Sequence, residues 1–355
     1  MRERSIMVCR QDGLLRVSFL KRLGWGERLR PRITSHLRFV PLICWLLAVT
    51  LQTVDVTAAP AHTLALGAYI ANAPGDPSQI DAFTGMVGGA PGIVMWYQDW
   101  VSVGNSAFDP IKMNAVVTRG AMPMITWEPW DAAAGANQPA YSLRAITDGA
   151  HDAFIHQWAR DAAAWGKPLY LKFAHEMNGD WYPWAANANG NTAAQYGTMW
   201  KHVRAIFRQE GAINVRWVWS PNVAYPGSAS FAQVYPGDTA VDWVGLDGYN
   251  FGTSQSWSQW TDFVGVFGPS YDSLAQMTRK PMLIGETASS ELGGNKAAWI
   301  TQGLLTDVPN RFPRLRAIIW FDESKETDWR VNSSSASVTA FRTVASSPTY
   351  HGHLP

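Results

Sequence analysis

Residues 169–184 read LYLKFAHEMNGDWYPW. A mostly apolar run, LYLKFA, gives way at once to a histidine, a glutamate, an asparagine, an aspartate, a glycine and three aromatics. A short apolar run of this kind is how a strand covered on both faces reads, as in a parallel sheet. Polar groups gathered at the C-terminal end of such a strand mark where parallel α/β folds keep their chemistry. One segment cannot establish a fold, so the question is whether the pattern repeats.

It does. Similar runs are LALGAYI (64–70), GIVMWY (92–97), MPMITW (122–127), VRWVW (215–219), DWVGLD (242–247), MLIGE (282–286) and AIIWF (317–321). Helix-like segments separate them. Residues 146–166 place Phe154, Trp158 and Ala162 on one face, and further helices are expected over 191–211, 263–277, 295–305 and 335–345. Eight strands alternating with helices predict an α/β fold, the (β/α)8 TIM barrel, as a single domain over 62–355. A doubly wound open sheet would most often carry a glycine-rich nucleotide loop after its first strand. Here that strand runs into ANAPGDPSQ, and neither G-x-G-x-x-G nor G-x-x-x-x-G-K occurs.

The chain has 355 residues, 47% of them hydrophobic, enough for a large core. Its net charge of +1 hides an asymmetry. The first 60 residues hold ten Lys/Arg and four acids, which leaves the remainder near −5. A mildly acidic body argues against binding a phosphate backbone, so no nucleic-acid partner is expected. The basic segment leads into FVPLICWLLAVTL (39–51), short for a bilayer span, and then into VTAAPAH (56–62). Basic, then apolar, then small is the order of a secretory signal, so 1–61 is read as a long signal region cleaved near Ala59 or Ala61. The mature protein is expected to be secreted and monomeric, with no stable membrane association. Both cysteines, Cys9 and Cys44, lie in the leader, so disulfides, thiol nucleophiles and cysteine metal ligands are not expected in the body.

Acids and aromatics gather at the strand ends: Trp96 and Asp99, Glu128 and Trp130, His175 to Trp181, Asn222, Asp247 and Tyr249, Glu286 and Glu291, Asp322 and Glu323. In a barrel these ends form one mouth. A carboxylate-lined cleft paved with aromatic rings suits a sugar polymer, whose pyranose faces stack on rings while its hydroxyls take hydrogen bonds. Glycoside hydrolysis needs one protonated and one ionised carboxyl. Strands four and seven face each other across the mouth, which pairs Glu176 with Glu286. On the residues alone Glu128 could replace either, and Asp247 could instead brace a loop. His175 could be a metal ligand, but H-E-M-N-G lacks the second histidine of a zincin helix. Ser220 has no G-x-S-x-G elbow around it. No metal or cofactor is expected.

The stretches ITWEPW (125–130), HEMNGDWYPWA (175–185), YPGDTAVDWVGLDGYNFGTSQSW (235–257), IGETASSELGGNKAAWI (284–300) and KETDWRVNSS (325–334) resemble glycoside hydrolase family 26. The resemblance covers nearly all of 64–345. It implies a retaining (β/α)8 enzyme with Glu176 as acid/base, Glu286 as nucleophile, Tyr249 bonded to the nucleophile and His175 supporting the site. It further implies Trp181 and Trp320 as sugar platforms. Asn178, Asp180, Glu128, Trp130, Trp96, Asp99 and Asp247 complete the expected polysaccharide-binding set. Segments around strands six to eight look closest to the family's β-1,3-1,4-glucanases, which makes mixed-linkage β-glucan the expected substrate and endo-β-1,4-mannanase the alternative. A non-catalytic carbohydrate-binding barrel would keep the aromatics and lose one carboxylate.

Overall fold

The computed structural model describes residues 63–102 and 104–354. The expected signal region and both cysteines lie outside them. The described residues form eight parallel strands: β1 (Ala65–Ile70), β2 (Ile93–Asp99), β3 (Met122–Glu128), β4 (Leu169–Phe173), β5 (Val215–Trp219), β6 in two pieces (Trp243–Val244 and Asp247–Asn250), β7 (Met282–Ser289) and β8 (Leu315–Asp322). Each strand pairs with its sequence neighbour, and β8 pairs with β1 from Ala65↔Ala317 to Ile70↔Asp322, which closes the barrel. Among these residues no helix is long and apolar enough to cross a membrane.

Alternation along each strand divides the side chains between two apolar layers. Ala65, Ile93, Met95, Met124, Tyr170, Val218, Leu283, Ala317 and Ile319 fill the barrel interior. Gly67 belongs with them, since a Cβ there would lie 2.8 Å from the Ile93 Cβ. The opposite faces pack under the helices, where Trp127 meets Trp100, Trp158, Phe173 and Phe207 at 4.8–5.7 Å between ring centres. Such ring pairs add about 0.5–1.5 kcal/mol each beyond their buried area.

The helices follow the apolar period and stop where capping chemistry dictates. The segment expected at 146–166 divides into Leu143–Thr147 and Asp152–Trp165, the latter closed by left-handed Gly166. Thr192 and Gln195 form a capping box that starts the helix Ala193–Gln209. Phe263–Met277 is helical despite Pro269, and Lys296–Thr301 continues into a π-helical turn, Gln302–Asp307. The last helix, Ser335–Ala345, begins at a Ser334 cap.

Candidate active site

The barrel mouth is built from strand ends, and two local irregularities aim its carboxylates. At the end of β4, Ala174 (φ +43°) and Glu176 (φ +51°) occupy the left-handed region, which costs a non-glycine residue about 1–3 kcal/mol. Neighbouring strands hold them there. The Ala174 amide donates to the Trp127 carbonyl (3.0 Å), and the Glu176 amide to the Ser220 carbonyl (2.8 Å). The Tyr196 hydroxyl donates to the Ala174 carbonyl (3.0 Å).

In β7 the register with β8 runs from Ile284↔Ile318 to Thr287↔Trp320, three residues against two. This bulge turns two consecutive side-chain positions, Gly285 and Glu286, toward the barrel axis. A Cβ at Gly285 would lie 2.5 Å from Asp247 Oδ1 and 2.7 Å from Ser220 Oγ, so only glycine leaves room there.

Glu286 sits in a cage of donors. The Tyr249 hydroxyl donates to its Oε2 (2.6 Å), and Lys172 Nζ lies 2.5 Å from its Oε1. His175 Nε2 stands 3.8 Å from Oε1. Burial would push the Glu286 carboxyl up; the Lys172 ammonium, His175 at the low pH where it is protonated, and the Tyr249 hydrogen bond outweigh it and bring the group down to about 2. His175 is itself neutral at ordinary pH, because burial and then the nearby Lys172 charge lower it to about 3. Its Nε2 meets the Tyr182 hydroxyl at 3.2 Å.

Glu176 is shifted the other way. Burial, then the Glu286 charge, raise it to about 7, against the pull of Lys172 and of the Trp181 indole, whose Nε1 donates to Oε2 (2.8 Å). Trp181 lies over Gly179, where a Cβ would come within 2.6 Å of the ring. It stacks near Tyr225 (5.9 Å, 27°) and stays 38% exposed. Glu128, at the end of β3, is buried and raised to about 8 by desolvation, while Trp130 Nε1 donates to its Oε2 at 3.3 Å. Trp130 is partly buried, edge-on to Tyr182 (5.1 Å), and Asp180 is exposed. The barrel thus brings together Glu176, Glu286, Tyr249, His175, Glu128, Trp130 and Trp181.

Other expected contacts are placed differently. Trp320 faces outward on β8, fully buried against Phe341, with its Nε1 donating to the Trp329 carbonyl (3.0 Å). Alternation puts Phe321 on the inner face instead, stacked on Tyr69 (4.7 Å, 15°). Trp96 likewise points into the outer layer, and Tyr97 takes the inner position. Asn178 is fully buried, its Nδ2 donating to the Asn222 carbonyl and its Oδ1 accepting from the Asn222 amide (both 2.9 Å). It ties the loop down rather than meeting a sugar. Asp99 Oδ1 accepts from the amides of Val101 (2.9 Å) and Ser102 (2.6 Å), closing a turn. Asp247 is fully buried, 2.8 Å from Lys172 Nζ.

Lys172 was not expected. The clue was a lone lysine in an apolar strand, since a charge inside a barrel requires partners. His175, Asp247 and Glu286 could place ligand atoms within 4.8 Å of one another, as around a metal ion. Lys172 already supplies the cation between the two carboxylates.

The description "Glycosyl hydrolase family 26" belongs to the family model that matches residues 140–302. Endoglucanase H of Acetivibrio thermocellus is 41% identical over 283 residues, which is 79% of this chain and 30% of that protein. A Bacillus subtilis mannan endo-1,4-beta-mannosidase is 27% identical over 163 residues, 44% of this chain and 40% of the relative. The chain therefore spans well under half the length of these relatives. The mannosidase name recurs among shorter matches. Among solved structures, the catalytic domain of a GH26 endo-beta-1,4-mannanase from Bacillus sp. JAMB-750 superposes with a TM-score of 0.61 at 18% identity, covering 81% of this chain and 86% of that one. The segment similar to glycosyl hydrolase family 26 runs through the bent end of β4 and the bulge of β7.

Proposed function

We propose that this protein is a retaining glycoside hydrolase that cuts internal β-1,4 bonds of a β-mannan or β-glucan polysaccharide. The observation that carries the reading is the pair of buried glutamates driven apart in acidity, Glu176 up to about 7 and Glu286 down to about 2. Hydrolysis by double displacement needs this division of one acid and one carboxylate.

In the first step a Glu286 oxygen attacks the anomeric carbon while the Glu176 proton passes to the departing glycosidic oxygen. The C–O bond to the leaving sugar breaks and a glycosyl ester forms. Glu176, now ionised, takes a proton from water as that water attacks the same carbon and releases Glu286. Tyr249 holds the nucleophile's Oε2 throughout. Trp181, beside the acid, is positioned to stack on the leaving sugar, with Trp130, Asp180 and Glu128 as further contacts.

Because the mannosidase name recurs among its relatives, β-1,4-mannan comes first as substrate. Mixed-linkage β-glucan is the second reading, favoured by the longer and more identical match to an endoglucanase. Galactomannan, barley β-glucan, lichenan and carboxymethyl-cellulose tested in parallel, with linkage analysis of the products, separate the two. Proton NMR should show the β-anomer forming first. An α-anomer formed first, or no reducing ends from any of the four polymers, overturns the proposal. The leader pattern further supports export, tested by N-terminal sequencing of protein recovered outside the cell.

A further inference from the structure

Lys172 is a fully buried charge, and the two steps above give it no part. Its Nζ lies 2.5 Å from Glu286 Oε1 and 2.8 Å from Asp247 Oδ2. Asp247 is anchored in turn. Its Oδ1 accepts from Ser220 Oγ (2.8 Å), its amide donates to the Pro221 carbonyl (2.9 Å), and its carbonyl accepts from the Val223 amide (2.8 Å). Gly285 leaves the space that this group occupies. Four elements thus converge on one ammonium.

Stability alone does not account for the arrangement. A buried ion pair returns little net stability after desolvation, and apolar residues of similar volume often do as well or better. The charge makes sense at Glu286. The other groups facing that carboxylate are Tyr69 on β1, Tyr97 on β2, Glu128 on β3, His175, Glu176 and Tyr182 after β4, Asp247 and Tyr249 on β6, and Lys325 beyond β8. Burial opposes its ionisation, the tyrosines and His175 are neutral, the carboxyls of Glu128, Glu176 and Asp247 are pushed up toward their neutral forms, and Lys325 adds a positive charge from beyond β8. Among the described residues, Lys172 is the lysine or arginine within salt-bridge distance of Glu286.

We propose that Lys172, anchored by Asp247, is a positioning residue that holds the nucleophile Glu286 ionised and oriented for attack. This rests on the assignment of Glu286 above. It also accounts for the second carboxylate. When Glu286 becomes an ester it loses its charge, and the negative charge reappears on Glu176, which has given its proton to the leaving oxygen. Lys172 then still has Asp247 at 2.8 Å, a carboxyl that burial and the Glu286 charge push up and that ionises more readily once the Glu286 charge is gone.

The test uses 2,4-dinitrophenyl β-mannobioside and β-cellobioside, whose leaving group needs no proton. The acidic limb of kcat/KM then reports the nucleophile, separately from Glu176. In Lys172→Met this limb should move up by roughly 1–3 pH units, the size of a close opposite charge. The rate near neutrality should fall about 100-fold. Lys172→Arg should restore much of both. Lys172→Gln, neutral but still a donor, should move the limb the same way as Lys172→Met and serves if that variant does not fold. An acidic limb unchanged in Lys172→Met, or in Lys172→Gln where that variant must serve, overturns the proposal. If Glu286→Ala still turns over these glycosides at the wild-type rate, the assignment of the nucleophile has failed instead.

Discussion

Glu176 and Glu286 are the same residue type in opposite states, and the cause lies in their neighbours. Glu286 faces an ammonium and a phenol, whereas Glu176 faces Glu286 and has an indole as its donor. The proposed double displacement needs Glu286 ionised and Glu176 protonated. Activity should therefore be lost as pH falls through about 2 and again as pH rises through about 7, which a kcat/KM profile on polymer will show. The Trp181 hydrogen bond stabilises the ionised form of Glu176. Trp181→Phe should move the basic limb to higher pH, and KM should rise if the ring is also a platform. Azide should rescue Glu176→Ala on an activated aryl glycoside, while Glu286→Ala should abolish turnover.

Within the elements, what matters is how a strand departs from regularity. The left-handed residues at the end of β4 and the bulge in β7 each turn a glutamate into the mouth. Gly285→Ala puts a methyl where Asp247 and Ser220 already stand. It should destabilise the fold by about 1–3 kcal/mol in urea unfolding and lower kcat. Asn178→Ala releases the loop from Asn222. We expect a smaller loss of stability but a clear rise in KM, since the loop carries both Glu176 and Trp181. Strand positions and most helices were legible in the periodicity, and the barrel they predict sets the ends of β4 and β7 at one mouth. The bulge was not legible, because one extra residue in MLIGETAS leaves no mark in an apolar run. Trp96 and Trp320 were misplaced for a related reason. Strands apolar on both faces do not say which parity points inward.

At the scale of the whole molecule, closing the barrel buries ionisable groups that must then be neutral or paired. Glu128 takes up a proton on folding, its carboxyl raised from 4.5 to about 8 by burial. Its folded value lies above its unfolded one, so this contribution is complete below about 4.5 and disappears as pH rises through about 8. Glu128→Gln mimics the protonated acid. It should lose less melting temperature than wild type between pH 6 and pH 9, measured by calorimetry.

The order of eight apolar runs and the helix periods between them determined the barrel, because local propensity and pattern agree along the whole chain. The acids and aromatics at the strand ends set Glu176, Glu286, Tyr249 and His175 at one mouth, and the family resemblance implied the role of each. The tertiary structure alone decided which strand face turned inward, which acids became buried supports, and that Lys172 meets Glu286 from 114 residues away. Those are questions of distance and desolvation between segments remote in sequence, and they are answered only when the sheet closes.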